Sequence, residues 1–240
     1  MKVLTIDIET VPRFDLPEAC VPKFDIGSVK YGNLKDPVKR KALEEKEEAK
    51  FNAKLNKKMS TDPTLAQMCT FVGMVHDTDT DDIIEETSLQ VCGDDHDDYE
   101  LAADGWALLQ KCYRARIPLV TFNGQGFDLQ VMYFRAMAQD VPVDKHMYDR
   151  FMLRYKNPYH YDLMQILANW DRTKWKGLDF YLNLFGLGSK GGMSGADVYP
   201  AYMAGEYEKI KTYCRHDVTE TYKLFARLVP WIGFTVEDMK

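Results

Sequence analysis

Long hydrophobic runs are absent from this sequence of 240 residues. No apolar stretch approaches the ~18 residues that a transmembrane helix requires. The N-terminus begins with a strand-like pattern in place of the basic segment that opens a secretion signal. These absences argue against the membrane and secreted classes, and we expect a soluble, cytoplasmic protein with no membrane partner.

Cysteine is scarce, odd in number and scattered along the chain. There is no C-x-x-C pair and no histidine cluster at zinc spacing, so the sequence predicts neither a disulfide framework nor a structural zinc site. We expect reduced thiols. The five cysteines are Cys20, Cys69, Cys92, Cys112 and Cys214.

An excess of positive charge is also missing, because the formal net charge is −6. Domains that coat nucleic acid are usually basic, so this role is disfavoured, but an enzyme that grips one end of a strand is not excluded. Residues 77–104 hold twelve Asp and Glu and no Lys or Arg, which predicts a solvated hairpin and loop surface. Residues 30–58 hold ten Lys and Arg against five acids, and this segment could guide a strand or pack on a partner subunit.

Strand and helix patterns follow one another along the chain. Two strands that read as a hairpin precede an alternation of strand and helix, so the sequence predicts an α/β fold with a mixed sheet flanked by helices. The sheet would combine antiparallel hairpin strands with parallel strands. The predicted strands are 2–9, 68–76, 83–91 and 117–123, and the predicted helices are 36–58, 97–116, 127–139 and 206–229, with helical patterns from 161 onward.

Two acids stand in the first predicted strand. Asp7 and Glu9 are two residues apart, so their side chains leave the same face, ~7 Å apart along the strand. The apolar residues between and before them face the other way. A hydrophobic strand does not bury neighbouring like charges without a counter-ion. An edge strand with one wet face would also tolerate the pair.

A third acid, Asp128, opens the helix predicted after residue 127. The preceding Asn123, Gly124 and Gly126 are typical of a strand-to-helix turn. An acid in the first turn of a helix often does no more than compensate the helix dipole, and this interpretation stays open for Asp128 taken alone.

The last predicted helix carries the fourth acid. At ~100° per residue Asp217 falls inside the apolar arc of this helix, and Tyr213 lies at its edge. His216 falls about a quarter turn away, toward Glu220 and Lys223 on the polar side. A carboxylate on an apolar face needs a partner, because an unpaired buried charge costs several kcal/mol.

Carboxylates from separate segments that converge on one site favour a divalent cation. Oxygen-only ligation suits Mg²⁺ or Mn²⁺. The predicted metal ligands are Asp7, Glu9, Asp128 and Asp217.

Three short stretches carry a family resemblance. "DIET" at 7–10, "NGQGFD" at 123–128 and "YCRHD" at 213–217 resemble, in order and separation, the exonuclease motifs of the DEDD (DnaQ-like) superfamily of 3′–5′ exonucleases. The Y-x-x-x-D spacing resembles the DEDDy branch, since the histidine branch would need His at Thr212. "HYDLMQIL" and the stretch after residue 126 are similar to stand-alone proteins related to the family-B polymerase proofreading domain.

The resemblance covers residues 1–11 and about 68–229. It implies a ribonuclease-H-like fold and a single exonuclease domain, 1–240, with an insertion of uncertain structure at about 12–66. It implies hydrolysis of terminal phosphodiesters of single-stranded nucleic acid, DNA favoured over RNA, to nucleoside 5′-monophosphates. The alternatives are a non-catalytic nucleic-acid-binding or scaffold module on the same fold and an RNA-trimming exoribonuclease.

Roles for the acids follow from the resemblance alone. It implies that Asp7 bridges two Mg²⁺ or Mn²⁺ ions, that Glu9 and Asp217 bind one of them and that Asp128 holds the other. Tyr213 would position the attacking water. These five residues are the predicted catalytic set.

The resemblance also suggests how the 3′ end of a strand is held. Thr10 would contact the terminal nucleotide, and Asn123 and Phe127 would line the strand path, although Phe127 could equally belong to the core. Lys190 would reach a phosphate or remain a solvated lysine. Asp162, at the start of a predicted helix, is expected to act as an N-cap or support.

Overall fold

The computed structural model describes residues 1–92, 97–155, 157–189 and 192–233. The strands are β1 (Lys2–Pro12), β2 (Ala66–Asp77), β3 (Ile83–Gln90), β4 (Leu119–Thr121) and β5 (His160–Asp162). The helices are α1 (Pro37–Ser60), α2 (Tyr99–Arg114), α3 (Asp128–Ala138), α4 (Lys145–Phe151), α5 (Leu163–Leu167), α6 (Leu178–Leu184), α7 (Gly195–Met203) and α8 (Tyr207–Ile232). None of the helices in the described residues is long and apolar enough to span a bilayer.

The described strands form one five-stranded sheet in the order β3-β2-β1-β4-β5. The β1, β2 and β3 strands pair antiparallel, whereas β1, β4 and β5 pair parallel. This confirms the predicted mixed sheet flanked by helices. It also settles the position of β1, which has a neighbour on each side and is not an edge strand.

Strand β5 was not predicted, because the patterns from 161 onward were interpreted as helical. It is only three residues long and runs directly into α5. A strand this short shows no alternation in the sequence, and pairing with β4 defines it.

The two faces of β1 pack against different helices. Leu4, Ile6 and Ile8 belong to a core cluster that includes Leu109 of α2 and Met132 of α3. On the other face, residues of β2 pack against Cys214 and Val218 of α8. Helices therefore cover both faces of the sheet, and the alternation predicted for β1 is confirmed.

Along the chain, helix α1 lies between the end of β1 at Pro12 and the start of β2 at Ala66. These two residues pair with each other in the sheet. Its start is as predicted: Asp36 caps the helix by accepting a hydrogen bond from Val38 N at 2.9 Å. Its end is buried at Met59 and Ser60. Most of the rest of α1 is exposed, so the helix is attached to the sheet mainly through its C-terminal end.

Asp98 departs from the solvated surface that was predicted for the acidic run at 77–104. Asp98 is fully buried, and its Oδ1 lies 2.6 Å from Nη2 of Arg135. Its Oδ2 accepts a hydrogen bond from Met68 N at 3.0 Å. The carboxylate joins the start of α2 to β2 and α3, which a solvated loop acid would not do. Removing Arg135 would leave the Asp98 charge buried without its cation, whereas Arg135 also pairs with Asp15, whose Oδ2 lies 3.1 Å from its Nη1.

Candidate metal centre

Strand β1 presents Asp7 and Glu9 toward α8. Asp7 is half-buried and Glu9 is buried. The pairing with β2 shifts between Glu9 and Thr10, which leaves Cys69 as an extra residue in β2. A bulge of this kind bends the strand and redirects side chains, and bulges are frequent next to functional sites.

Helix α8 brings Asp217 to the same place. Asp217 is only 5% exposed, and Tyr213, one turn earlier, is also buried, as its apolar arc predicts. Between them, Cys214 donates a hydrogen bond from Sγ to Asp7 O at 3.4 Å. Ligand atoms of Asp7, Glu9 and Cys214 all lie within 4.8 Å of one another.

The sequence predicted a reduced thiol at Cys214 and gave no sign of this contact. Burial raises the pKa of its thiol well above the ordinary value, and the charges of Asp7, Glu9 and Asp217 raise it further. The thiol is therefore a neutral, buried neighbour of the carboxylates.

At two positions of the turn before α3, only glycine fits. A Cβ on Gly124 would lie 2.4 Å from Thr121 Oγ1, and one on Gly126 would lie 2.3 Å from Asn123 Oδ1. Asn123 adopts a left-handed conformation with φ of 73°, which asparagine tolerates better than most residues. This compact turn sets where α3 begins.

Asp162, at the end of β5, fixes this turn from the neighbouring strand. Its carboxylate accepts hydrogen bonds from Asn123 N at 3.0 Å and Gln125 N at 2.9 Å. It also caps α5 by accepting from Gln165 N at 3.2 Å, which confirms the predicted N-cap and support role. Burial raises the pKa of Asp162 to about 6, although these three donors oppose the shift.

Asp128 is the first residue of α3 and is 4% exposed. Its Oδ1 accepts a hydrogen bond from Ile8 N at 3.2 Å, so it reaches β1 between the two acids of that strand. Burial raises the pKa of Asp128 to about 7, and the charges of Asp162 and Asp217 add to the shift. A dipole-compensating surface acid would not be buried in this way.

The predicted substrate contacts have varied surroundings. The hydroxyl of Thr10 donates to Ser60 O at 2.7 Å, so its side chain fastens α1 to β1. Phe127 is half-buried and packs against the core, while Asn123 is half-buried in the turn. Lys190 lies outside the described residues.

His216 and Tyr213 line the same groove, of about 540 Å³, together with Met193 and Thr212. The side chain of His216 is 36% exposed. The prediction was wrong about Glu220, which is 3% exposed and not on a polar face. Its Oε1 lies 2.6 Å from Lys223 Nζ and 4.0 Å from His216 Nδ1. The ion pair with Lys223 explains how the carboxylate is buried.

The donor set fits a divalent cation. The carboxylates supply hard oxygen ligands of the kind that Mg²⁺ and Mn²⁺ prefer. The hydrogen bonds that oppose the pKa rise of Asp128 come from neutral backbone N–H groups of Ile8 and Asp128 itself. A bound cation would supply the positive charge that these donors lack.

Among solved structures, the chain is similar to the family-B DNA polymerase of the hyperthermophilic archaeon Pyrobaculum calidifontis, with 18% identity and a TM-score of 0.56. The match covers 96% of this chain and 25% of the polymerase, so the chain corresponds to about a quarter of that protein. At this identity the likeness shows a shared fold.

Weaker matches are the nuclease domain of 3′hExo, a DEDDh family member, bound to rAMP, and Escherichia coli exonuclease I in complex with a dT13 oligonucleotide. The first has 10% identity and a TM-score of 0.45 over 95% of this chain and 92% of that one. The second has 12% identity and a TM-score of 0.42 over 95% and 41%. No curated protein matches the sequence.

A family model described as predicted 3′–5′ exonucleases related to the exonuclease domain of PolB matches residues 63–235. This span is more than two thirds of the chain and contains Asp128, Tyr213 and Asp217, whereas Asp7 and Glu9 precede it. The five-stranded mixed sheet agrees with the ribonuclease-H-like fold of such exonucleases. The chain therefore belongs to the family of 3′–5′ exonucleases related to the exonuclease domain of PolB.

Proposed function

We propose that this protein is a two-metal-ion 3′–5′ exonuclease of the DEDDy type that removes nucleotides from single-stranded DNA. One observation carries the proposal: the Ile8 N–H, which lies between Asp7 and Glu9, donates to Asp128. Acids from β1 and α3 therefore meet at one point, and the charge of Asp217 on α8 reaches the same place.

The ligand roles are those that the family resemblance implies. Asp7 would hold both ions, Glu9 and Asp217 would hold one and Asp128 the other. Two bound divalent cations would stabilise the attacking and the leaving oxygen of an in-line displacement. In this proposal residues 1–240 form one exonuclease domain in which about 12–66 are an insertion.

The reaction transfers the terminal nucleotidyl group to water. A water oxygen attacks the last phosphorus and loses a proton, the bond to the 3′ oxygen of the preceding nucleotide breaks, and that oxygen takes up a proton. The products are a nucleoside 5′-monophosphate and a strand with a new 3′-hydroxyl. Tyr213, buried against the groove, would orient the water through its hydroxyl, because a tyrosine is better suited to orienting than to deprotonating at neutral pH.

A 5′-labelled single-stranded oligonucleotide tests the proposal. With Mg²⁺ or Mn²⁺ we expect a ladder of products shortened from the 3′ end, and Asp7→Ala should abolish it while circular dichroism shows an unchanged fold. Full activity in Asp7→Ala would contradict the mechanism.

Two further substrates separate the alternatives. A circular single strand should remain uncut, since cutting it would indicate an endonuclease. Matched DNA and RNA oligonucleotides digested side by side should show faster loss of DNA, and faster loss of RNA would identify an exoribonuclease instead. No loss of any linear strand would favour a non-catalytic binding module.

A further inference from the structure

One face of α1 carries a row of lysines. Lys39, Lys46, Lys50, Lys54 and Lys57 fall within an arc of ~80° when the helix is viewed along its axis. All five are exposed. We refer to these five residues as the lysine stripe, which runs ~27 Å along the helix.

The charges of the lysines in the middle of the stripe act on Glu47. The pKa of Glu47 is lowered chiefly by a hydrogen bond from Lys50, whose Nζ lies 2.6 Å from its Oε1. The charges of Lys46 and Lys54 lower it further. Three lysines of the stripe are therefore close enough to act on the same carboxylate.

The stripe concentrates positive charge that the fold does not use. Within the described ranges, Lys46, Lys54 and Lys57 form no ion pair, and Lys50 alone in the stripe is paired. Like charges four residues apart destabilise a helix by a few tenths of a kcal/mol per pair. An acidic protein that keeps such a row exposed has an arrangement suited to an anionic partner.

The stripe ends beside the four acids Asp7, Glu9, Asp128 and Asp217, which we call the carboxylate centre. Ser60, three residues after Lys57, accepts the hydrogen bond from Thr10 Oγ1 at 2.7 Å. Thr10 directly follows Glu9 in β1. The C-terminal end of α1 is therefore tied to the strand that carries two of the four acids.

We propose that the lysine stripe binds the phosphates of the same nucleic-acid strand whose 3′ end enters the carboxylate centre. This inference rests on the proposed function, and it names where the upstream part of the substrate lies. Lysine contacts to phosphates carry no sequence information. The stripe therefore adds affinity that increases with strand length and decreases with salt.

The test compares two triple variants with equal loss of charge. Lys50, Lys54 and Lys57 are changed to Gln in the stripe variant, and Lys2, Lys111 and Lys145 in the control variant. Lys2 starts β1, Lys111 lies in the last turn of α2, and Lys145 starts α4. All three control lysines lie outside α1, and neutralising exposed pairs costs little stability.

Fluorescence anisotropy of a 5′-labelled 20-nucleotide DNA strand in EDTA measures binding without cleavage. The plot of log K against log salt concentration should become shallower by about two in the stripe variant, since each phosphate contact to a single strand contributes about 0.7. We expect about tenfold weaker binding at 0.1 M salt. The control variant should retain the wild-type slope.

Strand length provides the second readout. With a three-nucleotide strand, which can reach no further than the end of the stripe at Lys57, the difference between wild type and the stripe variant should become much smaller. An unchanged salt slope for the 20-nucleotide strand would overturn the proposal. A change of oligomeric state in light scattering with unchanged affinity would also overturn it, because the stripe would then be a protein interface.

Failure of the proposed function can be recognised separately. If the wild-type protein with Mn²⁺ cleaves no strand but the stripe variant binds DNA more weakly, the stripe is supported and the nuclease mechanism is lost. If the wild type cleaves and the stripe variant binds as the wild type does, the nuclease is supported and the stripe is lost.

Discussion

The carboxylate centre and the lysine stripe adjoin each other at Thr10 and Ser60 but are built in opposite ways. Asp128 is buried and is fixed by a backbone hydrogen bond to β1. Each lysine of the stripe is exposed on one helix. No other residue can replace a buried charge that is held in a defined geometry. Exposed charges in a row each contribute a small part of the same electrostatic interaction. Substitutions should therefore have large effects in the centre and small, additive ones in the stripe.

Asp128→Asn should have the largest effect. The amide can still accept from Ile8 N through Oδ1, but the substitution removes the negative charge of a proposed ligand, and we expect kcat to fall by more than about 10³. Digestion of the 5′-labelled strand with Mn²⁺ measures this. Activity within tenfold of the wild type would remove Asp128 from the centre.

The same variant should become more stable without metal. The pKa of Asp128 is about 7 in the folded chain against 3.8 ordinarily. Protonation of Asp128 therefore stabilises the folded chain. This contribution to the free energy of unfolding is fully present below pH 3.8 and is lost as the pH rises through about 7. At pH 8 in EDTA, Asp128→Asn should raise the free energy of unfolding by about 1–3 kcal/mol, measured with urea. Equal stability of the two proteins from pH 5 to 8 would contradict the burial argument.

Tyr213→Phe should have the next largest effect. The substitution keeps the ring in its buried position and removes only the hydroxyl, and we expect kcat to fall by about 10- to 100-fold with little change in KM. His216→Ala, a matched change on the wall of the same groove, should remain within about threefold of the wild type. The reverse order would overturn the DEDDy assignment.

Asp162→Asn should show an intermediate effect through the turn. The substituted amide loses one acceptor for the N–H groups of Asn123 and Gln125, so the turn loosens and α3 moves relative to β1. We expect about 1–3 kcal/mol lower stability and roughly tenfold lower kcat, with stability measured in urea and rate on the labelled strand. Loss of stability with an unchanged rate would mean that the turn does not position Asp128.

A single change in the stripe should have the smallest effect. Lys54→Gln should weaken binding of a 20-nucleotide strand by no more than about threefold and reduce the salt slope by about 0.7, as measured by anisotropy. A loss as large as that of the stripe variant would mean that Lys54 occupies a specific site, and the contrast between the two regions would fail.

Local periodicity predicted much of the centre. The alternation in β1 and the apolar arc of α8 depend on neighbours a few residues away, so the burial of Asp217 and the shared face of Asp7 and Glu9 could be predicted. The start of α1, which Asp36 caps, and the N-cap or support role of Asp162 were predicted for the same reason.

Long-range partners could not be predicted in this way. Asp98 is buried because Arg135 reaches it from another helix, and β5 exists because β4 lies beside it. The contact of Cys214 with Asp7 O joins residues at opposite ends of the chain. The burial of Glu220 could have been suspected from its i, i+3 partner Lys223, but a surface pair has the same spacing.

Calorimetric titration of Mn²⁺ into the wild-type protein and into Asp7→Ala tests the central claim most directly. The account predicts binding of two ions to the wild type, with protons released as the carboxyl groups ionise. It predicts loss of at least one ion in Asp7→Ala with the fold retained. Exonuclease activity from a wild-type protein that binds no ion, or equal ion binding by both proteins, would contradict it.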